Sequence, residues 1–114
     1  MLLVVTDANG AQQTVAVNAQ GTPSDFSGSI AVTGTSQQLA AANANRSGWL
    51  IQNRGANPMY VNDLGVAASS VVSADNGSFE VAPGASFPPF GYPVSTSIFN
   101  ITGTAADTFV YREW

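Results

Sequence analysis

The sequence predicts an all-β protein, an antiparallel β-sandwich or jelly-roll-like barrel carrying an N-terminal hairpin arm. Three observations predict it. From Ser29 to Trp114 short apolar runs recur at roughly ten-residue intervals, each closed by Gly, Pro, Asn or Asp. No long helical periodicity competes with them. The chain has 114 residues, enough for one domain with an arm.

Leu2 to Thr6 is β-prone and runs into Asp7-Ala-Asn9-Gly10. Asn-Gly is the strongest short hairpin signal because both residues tolerate positive φ. Gln13 to Asn18 then alternates, with Val15 and Val17 on one side and Thr14, Ala16 and Asn18 on the other. Residues 2–18 therefore read as a hairpin. Ala19 to Ser29 is rich in Gly, Ser, Thr and Pro around one apolar anchor, Phe26, and reads as an extended linker. Hairpin and linker, residues 1–28, make an arm able to pack on a neighbouring subunit. Residues 29–114 make the sandwich.

Within the sandwich, Ile30 to Thr33 reads as a strand ending at Gly34. Ser36 to Ala42 holds good helix formers but is too short to stand alone, so it reads as an irregular or single-turn corner. Trp49–Asn53 and Met59–Asp63 are the central pair, split by Arg54-Gly-Ala-Asn-Pro58. That is the sequence form of a β-hairpin or tight meander, with Trp49, Ile51, Met59 and Val61 in the core. Val66 to Ser73 reads as a small-residue strand and Asp75-Asn-Gly77 as a turn. Ser78 to Ala82 puts Phe79 and Val81 on one face and Glu80 on the other, and Pro83-Gly84 turns the chain. Phe87-Pro-Pro-Phe90-Gly-Tyr92-Pro93 cannot be a central strand, because three prolines remove ladder donors. It is an ordered aromatic loop or an edge. Ile98–Thr102 and Thr108–Glu113 form a last hairpin over Gly103–Asp107.

Composition narrows the function. Only 9% of residues are charged, against a usual share of about 25%, which is expected where much of the surface touches other protein. There is no lysine, and Arg46, Arg54 and Arg112 are the only basic side chains in a chain of formal charge −4. Phosphate neutralisation of a nucleic acid and polybasic attachment to an anionic membrane are both disfavoured. Histidine and cysteine are absent too, which removes the common general base, the thiol nucleophile and most zinc, copper and iron ligand sets. The start, Met1 to Asp7, is neither a signal peptide nor a membrane span. The Asn-x-Ser/Thr matches at Asn45, Asn76 and Asn100 are read as accidental.

Chemical motifs are weak. Asp7-Ala-Asn-Gly and Asp75-Asn-Gly-Ser-Phe-Glu80 echo fragments of calcium loops but read better as turns. Asp63, Asp75 and Glu80 are the acids a glycosidase pair would need, with nothing to place two of them in one cleft. No catalytic, cofactor-binding or metal-binding residue is singled out, and no cofactor is expected. The interaction candidates are Leu2, Leu3, Val4, Val15 and Val17 of the arm, Phe26 of the linker, the three arginines, and Phe87, Phe90, Tyr92 and Trp114. The loop rings either stack on a sugar or partner, or fold back to cap the open end of the sandwich. Each arginine either pairs with an acid such as Asp63 or Glu113, or offers bidentate recognition at an interface.

One stretch carries a resemblance: Gln37-Gln38-Leu39, Asn43-Ala-Asn45-Arg46, Trp49-Leu50-Ile51-Gln52-Asn53 and Met59-Tyr60-Val61-Asn62, followed by Phe79-Glu80-Val81-Ala82-Pro83-Gly84. It resembles a β-domain of small virion proteins of tailed bacteriophages, often written Leu-x-x-x-Asn-x-x-Arg-x-x-Leu-Ile-Gln-Asn with a later Leu/Val-x-Pro-Gly. Here Trp49-Leu50 stands where the aliphatic pair usually is. The likeness covers about Thr33–Gly84 and leaves out the arm. It implies a structural particle protein, either a capsid cement (decoration) protein or a tail or fibre component. The expectation is a non-enzymatic homotrimer on the capsid exterior, made in the host cytoplasm and clamping the major capsid protein, with no nucleic acid or membrane partner. The alternative is a tail or fibre module that binds a host glycan or receptor through the aromatic loop.

Overall fold

The computed structural model describes residues 2–6, 12–16, 22–74 and 76–114, the first two ranges by backbone alone. The described residues hold strands and no helix: β1 (Leu2–Thr6), β2 (Gln12–Ala16), β3 (Ser24–Asp25), β4 (Gly28–Ser29), β5 (Gln37–Ala40), β6 (Trp49–Asn53), β7 (Met59–Asn62), β8 (Phe79–Val81), β9 (Ser86–Phe87), β10 (Phe99–Thr102) and β11 (Thr108–Glu113). Strands β1 and β2 pair with each other, from Leu2 opposite Ala16 to Thr6 opposite Gln12, and form their own two-stranded sheet. The Asn9-Gly10 turn and Val17 lie outside the described residues.

The rest is a β-sandwich of two antiparallel sheets. One has the order β5-β10-β7-β8; the other has β3-β11-β6-β9, with β4 also on β11. The pairing is nested: β3 and β4 meet β11, β5 meets β10, β6 meets β9 and β7 meets β8. Trp49, Ile51, Phe109 and Tyr111 of one sheet face Met59, Val61, Val81, Phe99 and Ile101 of the other, with Ile30 and Leu39 completing the core. The Trp49 and Phe99 rings meet edge to face across the sandwich, with centroids 4.6 Å apart.

The core residues and the Phe79/Val81 alternation are as the sequence predicts, but several connections are not. β6 and β7 are not a hairpin, since they lie in different sheets, and the same is true of β10 and β11. Both links are arches that carry the chain across the core. Alternation places Trp49, Ile51, Met59 and Val61 inward in either arrangement, so the sequence pattern cannot separate them. Asp107 joins the two arches: its Oδ2 accepts the backbone N–H and the side-chain Nδ2 of Asn57, each at 3.1 Å. Gly55 is required there, because a Cβ would overlap the Asp107 side chain.

Four further expectations are corrected. Ser24–Ser29, read as linker, supplies two edge strands on β11, and the chain beyond Ile30 bends instead of continuing as a strand. Gln37–Ala40, read as a corner, is strand β5. Val66–Ser73 is a loop and not a strand. It lies over the outer face of the β5–β8 sheet, where Asn100 Nδ2 donates to Val66 O (2.8 Å) and Ser36 Oγ accepts the Ala68 N–H (2.9 Å). A segment above a sheet face has no strand edge to pair with, so its valines stay exposed.

Candidate functional site

Three charged residues, Arg46, Asp63 and Glu113, turn inward. Arg46 follows the corner after β5, and its guanidinium is buried over the Phe99 ring, 3.9 Å from the centroid. Its Nε donates to Glu113 Oε1 (3.1 Å), Nη1 to the carbonyls of Ser95 (2.8 Å) and Ser97 (3.0 Å), and Nη2 to that of Ala41 (2.7 Å). Glu113 also accepts the Tyr111 hydroxyl (2.7 Å) and Asn43 Nδ2 (2.9 Å). Burial pushes the Glu113 carboxyl up, but Asn43, Tyr111 and Arg46 together outweigh it and hold the group below 4.5. Burial, and then the Glu113 carboxylate, push the Tyr111 phenol well above its ordinary range. This cluster ties three segments together and spends the Arg46 charge within the subunit.

Asn53, at the end of β6, is fully buried. Its Nδ2 donates to the carbonyls of Asn57 (2.7 Å) and Val81 (2.9 Å), and its Oδ1 accepts the Gly55 N–H (2.8 Å). The Asn43, Arg46 and Asn53 positions of the resemblance are therefore fold-making residues. Glu113 is one of the acids the sequence offers as an arginine partner, but which arginine it meets, and what Asn53 holds, are decided by groups up to tens of residues away.

Arg112 is half-buried and bonds Asp25 (2.7 Å) and Ser27 (3.1 Å), fastening β3 and β4 to β11. Two Ser27 hydrogen bonds outweigh desolvation and, with a lesser pull from Arg112, hold the Asp25 carboxyl below 3.8. Arg54 is exposed on the β6–β7 arch. The half-buried Trp114 prolongs the β11 ladder: its carbonyl accepts the N–H groups of Ser47 (2.6 Å) and Gly48 (3.0 Å), and its ring covers Gly48 so closely that a Cβ there would overlap it. Leu2, Leu3, Val4 and Val15 stand on the β1–β2 ladder. Phe26, between β3 and β4, is partly exposed with its ring 6.1 Å from that of Tyr111.

The aromatic loop divides. Phe87 stacks on Phe79 (4.5 Å) and meets Trp49 and Tyr92 (both 5.5 Å). Tyr92 donates its hydroxyl to the buried Asp63 (2.8 Å), and burial followed by that bond raises its pKa to about 12. Both rings close the end of the core. Phe90 alone stands fully exposed, beside Gly91 at φ +84°. The three-ring platform open to the sequence is thus reduced to one ring. Of the acids singled out, Glu80 is exposed on β8, and Asp75 lies outside the described residues.

A concavity lies elsewhere. The loop over the outer face of the β5–β8 sheet leaves a cleft of about 260 Å³. Its floor is Tyr60 and Thr102, direct partners in the β7–β10 ladder. Thr33, Asn57, Ser69 and Ser70 stand around it, and no charged side chain lines it. Ile101 points into the core, so strand alternation turns Thr102 toward the cleft. Thr102 is 2% exposed, and its Oγ1 has no hydrogen-bond partner among the described residues. A buried hydroxyl left unpaired costs about 1–3 kcal/mol. The sequence gives no warning of this cleft, because its residues come from four separate segments spread over the chain.

Among the described residues, no group of three acids stands together to hold a metal ion, and no helix is long and apolar enough to cross a membrane. No known family profile matches the chain, and neither does any curated protein or solved structure.

Proposed function

We propose that this chain is a non-enzymatic structural protein of a tailed-phage particle, a capsid cement (decoration) protein whose sandwich sits on the shell exterior. The observation that carries the reading is the β1–β2 ladder, which joins neither sheet of the sandwich. A two-stranded ribbon is marginal alone in water, so it gains stability from whatever it docks against, and an open sheet edge on a neighbour is a suitable partner. The charge-poor composition supports a surface that meets other protein. The nested strand order supports reading the sandwich as a jelly roll, an architecture found in viral capsid and lectin domains. Fold does not dictate function, so that likeness supports the class and no more. Trimers clamping the major capsid protein would add apolar contacts across a repeating lattice, and multivalency would multiply them.

Truncation tests this reading. Because β3 and β4 belong to the sandwich, the cut falls before Ser24. A chain lacking residues 1–22 should keep its β-sheet circular dichroism and cooperative unfolding. It should lose the trimer in light scattering, and co-sedimentation with heads assembled from the coat protein. Unchanged trimer and head binding would overturn the arm mechanism. A full chain that is monomeric and ignores heads would overturn the cement reading itself.

The second reading, a tail or fibre module that binds a receptor or glycan, is favoured by Phe90, a large ring held wholly in solvent at the tip of a proline-braced loop. Phe90→Ser should leave stability within about 0.5 kcal/mol and abolish any glycan-array signal. A signal that survives the substitution removes the loop from consideration.

A further inference from the structure

We infer that the cleft over Tyr60 and Thr102 binds one ring of a neutral saccharide. Its lining carries no charge, so neither a phosphate nor a cation finds a complement there, and its polar walls disfavour a purely apolar guest. What it presents is a set of hydroxyls and one amide, each able to meet a sugar hydroxyl as donor or acceptor. Several are already oriented. Thr33 Oγ1 accepts the Ala105 N–H at 2.9 Å and Ser69 Oγ accepts the Val71 N–H at 3.0 Å, which leaves each O–H to donate. Asn57 gives its Nδ2 to Asp107, which leaves its Oδ1 to accept.

The floor supplies the second, independent sign. Thr102 lines the cleft, and its buried Oγ1 has no partner among the described residues; native structures rarely leave such a group unsatisfied. Rotation of the Thr102 side chain about χ1 toward the cleft would let a ligand hydroxyl meet it and remove that penalty. Beside it the half-buried Tyr60 offers a flat apolar ring with a polar tip. At about 260 Å³ the space is below the roughly 300 Å³ at which drug-sized pockets begin. It suits a single six-membered ring. The cleft shares no residue with the Phe87–Tyr92 loop, so the inference is independent of the tail reading and adds to the cement reading.

The test is a titration of the ¹⁵N-labelled full chain with the methyl glycosides of glucose, galactose and N-acetylglucosamine, followed by amide shifts. At least one should give saturable shifts centred on Gly34, Tyr60, Ser70 and Thr102. Thr102→Val should weaken that binding about three- to tenfold, the equivalent of one hydrogen bond, with Tm unchanged or raised because an unpaired hydroxyl has gone. Tyr60→Phe, which keeps the ring and removes its tip, should weaken binding without unfolding the chain. Shifts absent for all three sugars would mean that the cleft holds water only, and would overturn the inference. So would wild-type affinity in both variants, or a clear fall in Tm for Thr102→Val, since the hydroxyl would then be serving the fold.

Discussion

Arg46→Ala is expected to destabilise the fold by about 3–5 kcal/mol, the range for removing one partner of a buried ion pair. Glu113 would keep its charge with only Tyr111 and Asn43 to solvate it, and the carbonyls of Ala41, Ser95 and Ser97 would lose their donor. At about 4–8 °C per kcal/mol for a domain of this size, Tm should fall by more than about ten degrees. Urea unfolding followed by tryptophan fluorescence measures it. A loss below about 1 kcal/mol would put the pair on a level with surface ion pairs. The double replacement Arg46→Met with Glu113→Leu should recover only part of the loss. Apolar substitutes for buried pairs are often neutral, but here three carbonyls would still lack a donor.

The same cluster sets the pH profile. The Glu113 carboxyl titrates below 4.5 when folded, so its contribution is present above about pH 4.5 and lost as pH falls through the folded value. Tyr92 and Tyr111 are raised above 10.0, so theirs is present below pH 10.0 and lost as pH rises, for Tyr92 through about 12. Stability should therefore hold between those limits and decline on both sides. Glu113→Gln should flatten the acid limb and leave the exposed Asp25 to give a small remainder at lower pH. An acid limb unchanged in Glu113→Gln would show that other carboxylates cause it.

Asn53→Asp is expected to be comparably damaging, at about 3 kcal/mol or more. The change sets a carboxylate oxygen where an amide now donates to the carbonyls of Asn57 and Val81. Two bonds are lost, at about 1–3 kcal/mol for each buried group left unpaired, and a charge is buried without a cation. Protonation would restore one donor, so the defect should shrink in acid. Asn53→Leu, similar in size and uncharged, should lose stability without that pH dependence. Hydrogen exchange at Gly55, whose N–H is held by Asn53 Oδ1, reports the local opening. An Asn53→Asp protein within 1 kcal/mol of the parent would mean that water or backbone movement satisfies those carbonyls.

What could be read in advance followed from alternation. Trp49, Ile51, Met59 and Val61 are core because a half-buried strand must place every second residue inward. In the proline-rich run at Phe87–Pro93 only Phe87 joins a sheet, on the short edge strand β9, because proline has no N–H to give. The errors share one cause. A two-residue period states which way a side chain points, and says nothing of which strand lies beside it. Hence β6 and β7 looked like a hairpin, and Val66–Ser73 looked like a strand with no edge available to receive it. The polar sites were hidden for a related reason. Arg46 reads either as the partner of an acid such as Glu113 or as an interface cation, and only the fold, which brings Glu113 within 3.1 Å across 67 positions, decides between them; Thr102 reads as an ordinary strand threonine.

By itself, then, the sequence determined the β class, the inward strand residues and the exclusion of histidine and cysteine chemistry. Only the tertiary structure decided the nested pairing of the two sheets, the inward turn of Arg46, Phe87 and Tyr92, the lone exposure of Phe90, and the cleft above Tyr60 and Thr102. The division has a physical origin. Burial and backbone conformation are dictated locally, residue by residue, whereas pairing and recognition depend on groups far apart in the chain that meet only when the sheets close on one another.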